Sequence, residues 1–230
     1  MPSIPQRPGF FLTFEGGEGS GKSTQMHALA RFLQDTGYPL IVTREPGGTG
    51  IGDDIRRIVL DRTNFGGMSN RTELLLYQAS RAQLVDQIIR PALEHGAVVI
   101  CDRFSDSTTA YQGYGRGLDL TLIRQLTLAA TGGLRPHCTI LLDITPAIGL
   151  ARTRARTGPN LDRLERETLA FHERVRQGYL LTAQEEPDRF VILHATGDPE
   201  SIQSQLRTLV CDRLQAHGMR PEPAPAGSRR

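Results

Sequence analysis

The chain has a single lysine, Lys22, among its 27 basic residues, no tryptophan and only three cysteines. Each shortage excludes something. With no second lysine, the N-K-x-D signature by which switch GTPases read guanine cannot occur. The formal net charge is only +2 and no long run carries one sign, so general nucleic-acid binding is not indicated. The longest apolar runs, such as Ala97-Val98-Val99-Ile100-Cys101, fall far short of the roughly 20 residues needed to cross a bilayer. No long apolar segment follows a basic start in the first fifteen residues, so no signal peptide is predicted either. Cys101, Cys138 and Cys211 are odd in number, far apart and without a C-x-x-C pair. The first two lie in apolar runs, where a free cysteine acts as a small hydrophobe. Reduced thiols of this kind predict a cytoplasmic protein.

What remains is ordinary in bulk. At 230 residues, 38% hydrophobic and 23% charged, the chain suits one globular domain, or a core with an insertion. Short apolar runs alternate with longer helical patterns, the signature of an α/β fold. Strands are predicted at Phe10–Phe14, Leu40–Thr43, Ala97–Cys101, Thr139–Leu142 and Phe190–Leu193. Helices are predicted at roughly 22–36, 50–60, 70–94, 119–130, 146–155, 163–186 and 199–216. Together these predict a five-stranded parallel sheet with helices on both faces. Gly37 and Gly96 stop helices just before strands. Asn64–Ser69 reads as a glycine-rich turn and 157–160 as a loop tip. One domain over 10–216 is predicted, with a flexible segment 1–9 before it. Residues 217–230, rich in proline and alanine with a basic end, read as a disordered tail.

The lone lysine sits in Gly16-Gly17-Glu18-Gly19-Ser20-Gly21-Lys22-Ser23, which fits the phosphate-binding pattern G-x-x-x-x-G-K-[ST]. The loop follows a strand and opens a helix, the context this motif requires. Its glycines let backbone N–H groups converge on phosphates, and the helix N-terminus adds partial positive charge. Lys22 is assigned to bridge the β- and γ-phosphates and Ser23 to ligate Mg²⁺. Arginine's planar fork is too bulky to lie beneath such a loop; a compact ammonium fits.

Two further clusters narrow the chemistry. The third strand ends Cys101-Asp102-Arg103. Asp102 could hold Mg²⁺ through water, and the adjoining arginine suggests a second anion; an Asp–Arg pair capping a turn is the plainer alternative. The second cluster is Arg152-Thr153-Arg154-Ala155-Arg156, followed by Gly158-Pro159 and Asp162-Arg163-Leu164-Glu165. Arg152 and Arg156 share a helix face and repel unless an anion visits. An arginine-rich lid over about 152–165 is predicted, closing on the transferring phosphoryl. A solvated basic helix end is the alternative.

Phe14 to Ser23, Thr43-Arg44-Glu45-Pro46-Gly47-Gly48-Thr49, Asp102-Arg103-Phe104, Ala110-Tyr111-Gln112-Gly113 and the two lid segments together resemble bacterial thymidylate kinase. The resemblance runs in order from about residue 10 to 215. It implies a P-loop nucleoside monophosphate kinase-like fold, transfer of the γ-phosphoryl of ATP to dTMP with Mg²⁺, and a homodimer formed through helices, with 70–94 and 119–130 as candidates. Gly16, Gly17, Glu18, Gly19, Ser20, Gly21, Lys22 and Ser23 would hold ATP. Glu18 would also meet the deoxyribose 3′-hydroxyl, and Arg103 would grip the acceptor phosphate. Glu45-Pro46 would shape the monophosphate side of the cleft.

In Tyr77-Gln78-Ala79-Ser80-Arg81, the resemblance implies that Tyr77 stacks on thymine and Arg81 donates to a base carbonyl. By itself Tyr77 would more readily be a partly buried core residue. Thr108 and Gln112 would reach the base or its neighbours, and Tyr111 would crowd the 2′ position. The family carries its catalytic arginine either in the phosphate loop or in the lid. Gly19 stands at the loop position here, so the chain resembles the lid type, with Arg154 and Arg156 catalytic and Arg152 stacking on adenine. A kinase for another nucleoside monophosphate or a deoxynucleoside, and a non-catalytic nucleotide-dependent module, are the competing readings.

Overall fold

The structure is a computed structural model that describes residues 8–61, 63 and 67–221. Of the predicted flexible segment 1–9, glycine-rich turn 64–69 and disordered tail 217–230, residues 1–7, 64–66 and 222–230 lie outside the described residues. The start of the predicted tail is ordered instead, with His217 Nε2 bonded to Gly9 O and Met219 buried in the core.

Five strands form one all-parallel sheet: β1 (Phe10–Glu15), β2 (Leu40–Arg44), β3 (Val98–Asp102), β4 (Cys138–Asp143) and β5 (Phe190–His194), in the order β2-β3-β1-β4-β5. Every residue of β1 and β4 is buried, as strands covered on both faces should be. Successive side chains of β1 enter different cores. Phe10, Leu12 and Phe14 pack with Met26, Leu29 and Leu33 of α1 (Lys22–Asp35) and with Ile202, Leu206 and Val210 of the C-terminal helix (Pro199–Ala216). Phe11 faces the opposite side, with Leu84, Val99 and Phe104. Cys101 and Cys138 are buried free thiols within this packing.

Between β2 and β3 run α2 (Gly50–Leu60) and α3 (Asn70–Leu84), which continues through a π turn (Val85–Ile89) into α4 (Arg90–Glu94). After β3 come α5 (Ser105–Thr108), a second π turn (Thr109–Gly115) and α6 (Leu120–Thr131). Helix α7 (Pro146–Thr157) follows β4, α8 (Leu169–Glu185) precedes β5, and the C-terminal helix is α9. The helical stretch 105–115 was not predicted; Gly113 and Gly115 weaken its helical pattern. Helix α8 begins at Leu169 rather than 163. Asp162 Oδ1 accepts from the Leu164 and Glu165 N–H groups in a turn, and Thr168 Oγ1 caps the helix at Phe171 N.

The chain leaves β1, visits β2 and returns to β3 beside β1. Phe14 then lies level with Asp102, and Asp102 with Arg44. The carboxyl ends of β1 and β3 thus open the crevice where α/β sheets bind ligands.

Candidate active site

The phosphate loop leaves β1 through Gly16 (φ 139), Gly19 (φ 67) and Gly21 (φ 84), backbone angles that side-chain-bearing residues rarely adopt. Lys22 Nζ folds beneath it and donates to the Gly16 and Gly17 carbonyls, both at 2.9 Å. Burial, reinforced by Arg103, pushes the Lys22 ammonium down to about 8, against the pull of Glu18, Asp102 and Glu15. A phosphate over the loop supplies the counter-charge this desolvated cation calls for.

Ser23 Oγ donates to Asp102 Oδ2 at 3.3 Å, and Asp102 Oδ1 is buried without a protein partner. Among the described residues no cluster of three His, Cys, Asp or Glu could cage a metal. A hydroxyl beside one orphaned carboxylate oxygen fits Mg²⁺, which keeps waters and completes its shell with substrate phosphates.

Arg103 is the described non-glycine residue with positive φ, at 68°. Such a backbone costs on the order of 1–3 kcal/mol and persists only when its surroundings over-determine it. They do here. Arg103 N donates to Phe14 O (2.9 Å) and Phe104 N to Glu15 Oε1 (2.8 Å). The guanidinium donates through Nη2 to Glu18 Oε1 (2.9 Å) and through Nη1 to Gly16 O, Ser107 Oγ and Tyr179 OH. It also lies over the Tyr111 ring, 5.1 Å from its centroid, while Tyr111 OH donates to Glu18 at 2.7 Å.

The two carboxylates flanking this arginine are driven apart. Burial alone would raise Glu18, but Arg103, Lys22 and the Tyr111 hydroxyl hold it at about 2, fully ionised. Glu15 accepts from Ser107 Oγ (2.6 Å) and Tyr179 OH (2.9 Å), yet burial, then the nearby Asp106, push it up to about 7.

Tyr77 lines the cleft, as do Thr108, Tyr111 and Gln112. Arg81 shares the Tyr77 face of α3 but is buried behind the cleft wall. Its Nε and Nη2 grip Glu45 at 2.9 and 2.7 Å, Nη2 also reaches Phe104 O and Thr108 Oγ1, and Nη1 donates to Gln78. Burial raises the Glu45 carboxyl, and Arg81 opposes it. Arg81 therefore meets the cleft through Glu45 and Thr108, while Gln78 donates away from it to Thr127. Glu45 itself lines the cleft beside Pro46.

The predicted lid arginines separate. Arg156 lines the cleft with Glu18 to Ser23 and Asp102, its Nη2 3.9 Å from Glu165. Arg152 Nη1 donates to Ala195 O at 3.0 Å, toward the loop after β5. Arg154 is exposed and lines none of this cleft. Gly16 and Gly17 form the inner side of the loop, facing Lys22.

Several cleft residues were not singled out from sequence. Arg56 lines the cleft beside Pro46, its Nη1 donating to Pro46 O at 3.0 Å. Glu15, Ser107 and Tyr179 support Arg103 from behind. Buried Glu73 collects Gln112, Arg116 and Arg163 and so ties the base of the lid to α3 and the second π turn. The fourfold spacing of Glu73 and Tyr77 was the available signal, since it puts both on one helix face.

Because the Glu15 carboxyl is raised above its unfolded value, it contributes stability below about pH 4.5 that is lost as pH rises through about 7. Glu15→Gln should therefore show a flatter decline of urea midpoint between pH 5 and pH 8 than the native chain. An equal or steeper decline in the variant would contradict the assignment.

A family profile described as thymidylate kinase matches residues 14–206. The thymidylate kinase of Synechococcus sp. (strain JA-2-3B'a(2-13)) is 52% identical over 204 residues, covering 89% of this chain and 95% of that protein. That of Deinococcus radiodurans is 50% identical over 205 residues, covering 89% and 98%. The crystal structure of thymidylate kinase from Ehrlichia chaffeensis superposes with a TM-score of 0.71 at 32% identity, covering 88% of this chain and 99% of that one. With a phosphate loop, an arginine just beyond β3 in the same cleft and relatives that match it almost end to end, the chain belongs to the thymidylate kinase family.

Proposed function

We propose that the chain transfers the γ-phosphoryl of ATP to dTMP, giving dTDP and ADP. The observation that carries this reading is the placement of Lys22 and Arg103 on either side of Glu18 in one cleft. Lys22 and the loop N–H groups bind the donor phosphates, and Arg103, with Arg56 nearby, binds the acceptor phosphate. Glu18, kept ionised, accepts the sugar 3′-hydroxyl; Tyr77 stacks on the base, with Thr108 and Gln112 at its edge. Tyr111 crowds the 2′ position. Arg81 acts on the base side by orienting Thr108.

Catalysis on this reading is positioning and charge neutralisation. The acceptor phosphate is already anionic at neutral pH, so no general base is needed. Ser23 and, through water, Asp102 would hold Mg²⁺, which would supply charge neutralisation. Arg156 completes the cradle from the lid. Its place in the cleft favours it over Arg154 for the transferring group, and Arg152, beside Ala195, suits the adenine side. The protein works as one kinase domain over 10–216 with its lid at about 152–165. A homodimer is supported by exposed Leu75 on α3 and exposed Leu122 and Leu128 on α6, two helices that pack against each other. No described helix is long and apolar enough to cross a membrane. The cytoplasmic assignment and the expectation of no nucleic-acid partner rest on thiol usage and charge.

An ADP-release assay across dTMP, dUMP, UMP, CMP, AMP and GMP should peak on dTMP, and Lys22→Arg should lower turnover by about a hundredfold or more with the fold intact. A peak on another acceptor overturns the specificity, and acceptor-independent turnover overturns the kinase reading. Retained activity in Lys22→Arg removes Lys22 from the donor site.

A further inference from the structure

Glycine inside a helix costs roughly 1 kcal/mol relative to alanine, yet Gly149 stands in the first turns of α7. Its surroundings give the reason. A β-carbon at position 149 would lie 2.1 Å from the Glu18 carbonyl oxygen, a backbone atom that cannot swing aside. The contact is reciprocal: a β-carbon at Gly19 would lie 2.1 Å from the Gly149 carbonyl oxygen and 3.0 Å from its Cα. The lid helix is therefore seated backbone to backbone on the phosphate loop, and neither side has room for one methyl group.

We infer that the Gly19–Gly149 contact is the seat that aims the lid arginine, which makes Gly149 a positioning residue for phosphoryl transfer. The inference rests on the lid reading above. At about 3.6 residues per turn, Arg156 stands two turns beyond Gly149 on the same helix face, and Arg154 stands on the opposite one. The face that touches the loop is the face that presents Arg156 to the cleft. The first turn of α7 is also held by the Thr145 carbonyl, which accepts from Ile148 N and Gly149 N, and by buried Leu150. A methyl group at 149 must separate helix and loop by more than about 1 Å to reach ordinary contact distance. The seat also closes position 19 to any side chain, an arginine included. That closed position is consistent with a lid-borne arginine, since the backbone of the lid helix fills the space a loop side chain would need.

The test is a double-mutant cycle read in kcat, with dTMP affinity measured separately by calorimetry. Arg156→Ala alone should lower kcat about a hundredfold or more. Gly149→Ala should lower kcat by roughly 10- to 100-fold, the scale of a 1 Å misplacement, with dTMP affinity within about twofold of native. In the Gly149→Ala background, adding Arg156→Ala should cost less than about threefold, because the arginine is already misaimed. Full additivity, or native kcat in Gly149→Ala, overturns the inference while leaving the lid reading intact. A silent Arg156→Ala in the native background overturns the lid reading itself. If Gly149→Ala does not fold, Gly19→Ala probes the same seam from the loop side in the same cycle. If neither folds, the contact is a folding requirement and the positioning role is refuted.

Discussion

The structure turns on one electrostatic constraint: two cations and two carboxylates share a largely desolvated cleft at the carboxyl ends of β1 and β3. Lys22 lies under the loop, Arg103 lies across it, Glu18 stands between them and Glu15 supports Arg103 from behind. None could be buried alone without a penalty of several kcal/mol. Together they leave Glu18 ionised at about 2, Glu15 near 7 and Lys22 lowered to about 8. The set holds positive charge that anionic substrates would complete. The left-handed backbone of Arg103 is affordable because Glu15, Phe14 and Glu18 hold its two ends.

The same economy runs through the rest of the molecule. Buried arginine–carboxylate pairs pin the elements that bear the site. Arg81 with Glu45 joins α3 to the end of β2, and Arg189 grips Asp106 with both terminal nitrogens at the start of α5. Arg116 and Arg163 converge on Glu73 and hold the lid's base. Each uses the planar fork that a lysine lacks. Under the phosphate loop, a fork does not fit, and the ammonium of Lys22 contacts two carbonyls instead. Glycines make the complementary contribution, letting backbone meet backbone where the loop rests on β4 and on α7.

Much of this was legible beforehand, and the limits have physical causes. The five strands were readable because each is a short apolar run bounded by glycine or a turn. The phosphate loop was readable because its chemistry dictates both residue type and spacing. The stretch 105–115 was not, since its glycines serve close packing, with a β-carbon at Gly115 meeting Phe171 and one at Gly113 meeting Leu120. Helical spacing correctly put Tyr77 and Arg81 on one face. It could not say that Glu45, 36 residues earlier, would turn Arg81 into the wall. Glu15 looks like a strand-end carboxylate until α5 and α8 bring Ser107 and Tyr179 onto it. Gly149 looks like an indifferent helix residue until the loop's position is known.

The central claim is a division of labour, with Arg103 on the acceptor side and Lys22 on the donor side of one cleft. Calorimetric titration of Arg103→Ala with dTMP and, separately, with a non-hydrolysable ATP analogue tests it most directly. The account predicts at least a tenfold loss of dTMP affinity, about the value of one charge-assisted hydrogen bond, with the ATP analogue bound as in the native chain. Loss confined to the ATP analogue, or native affinity for dTMP, would contradict it.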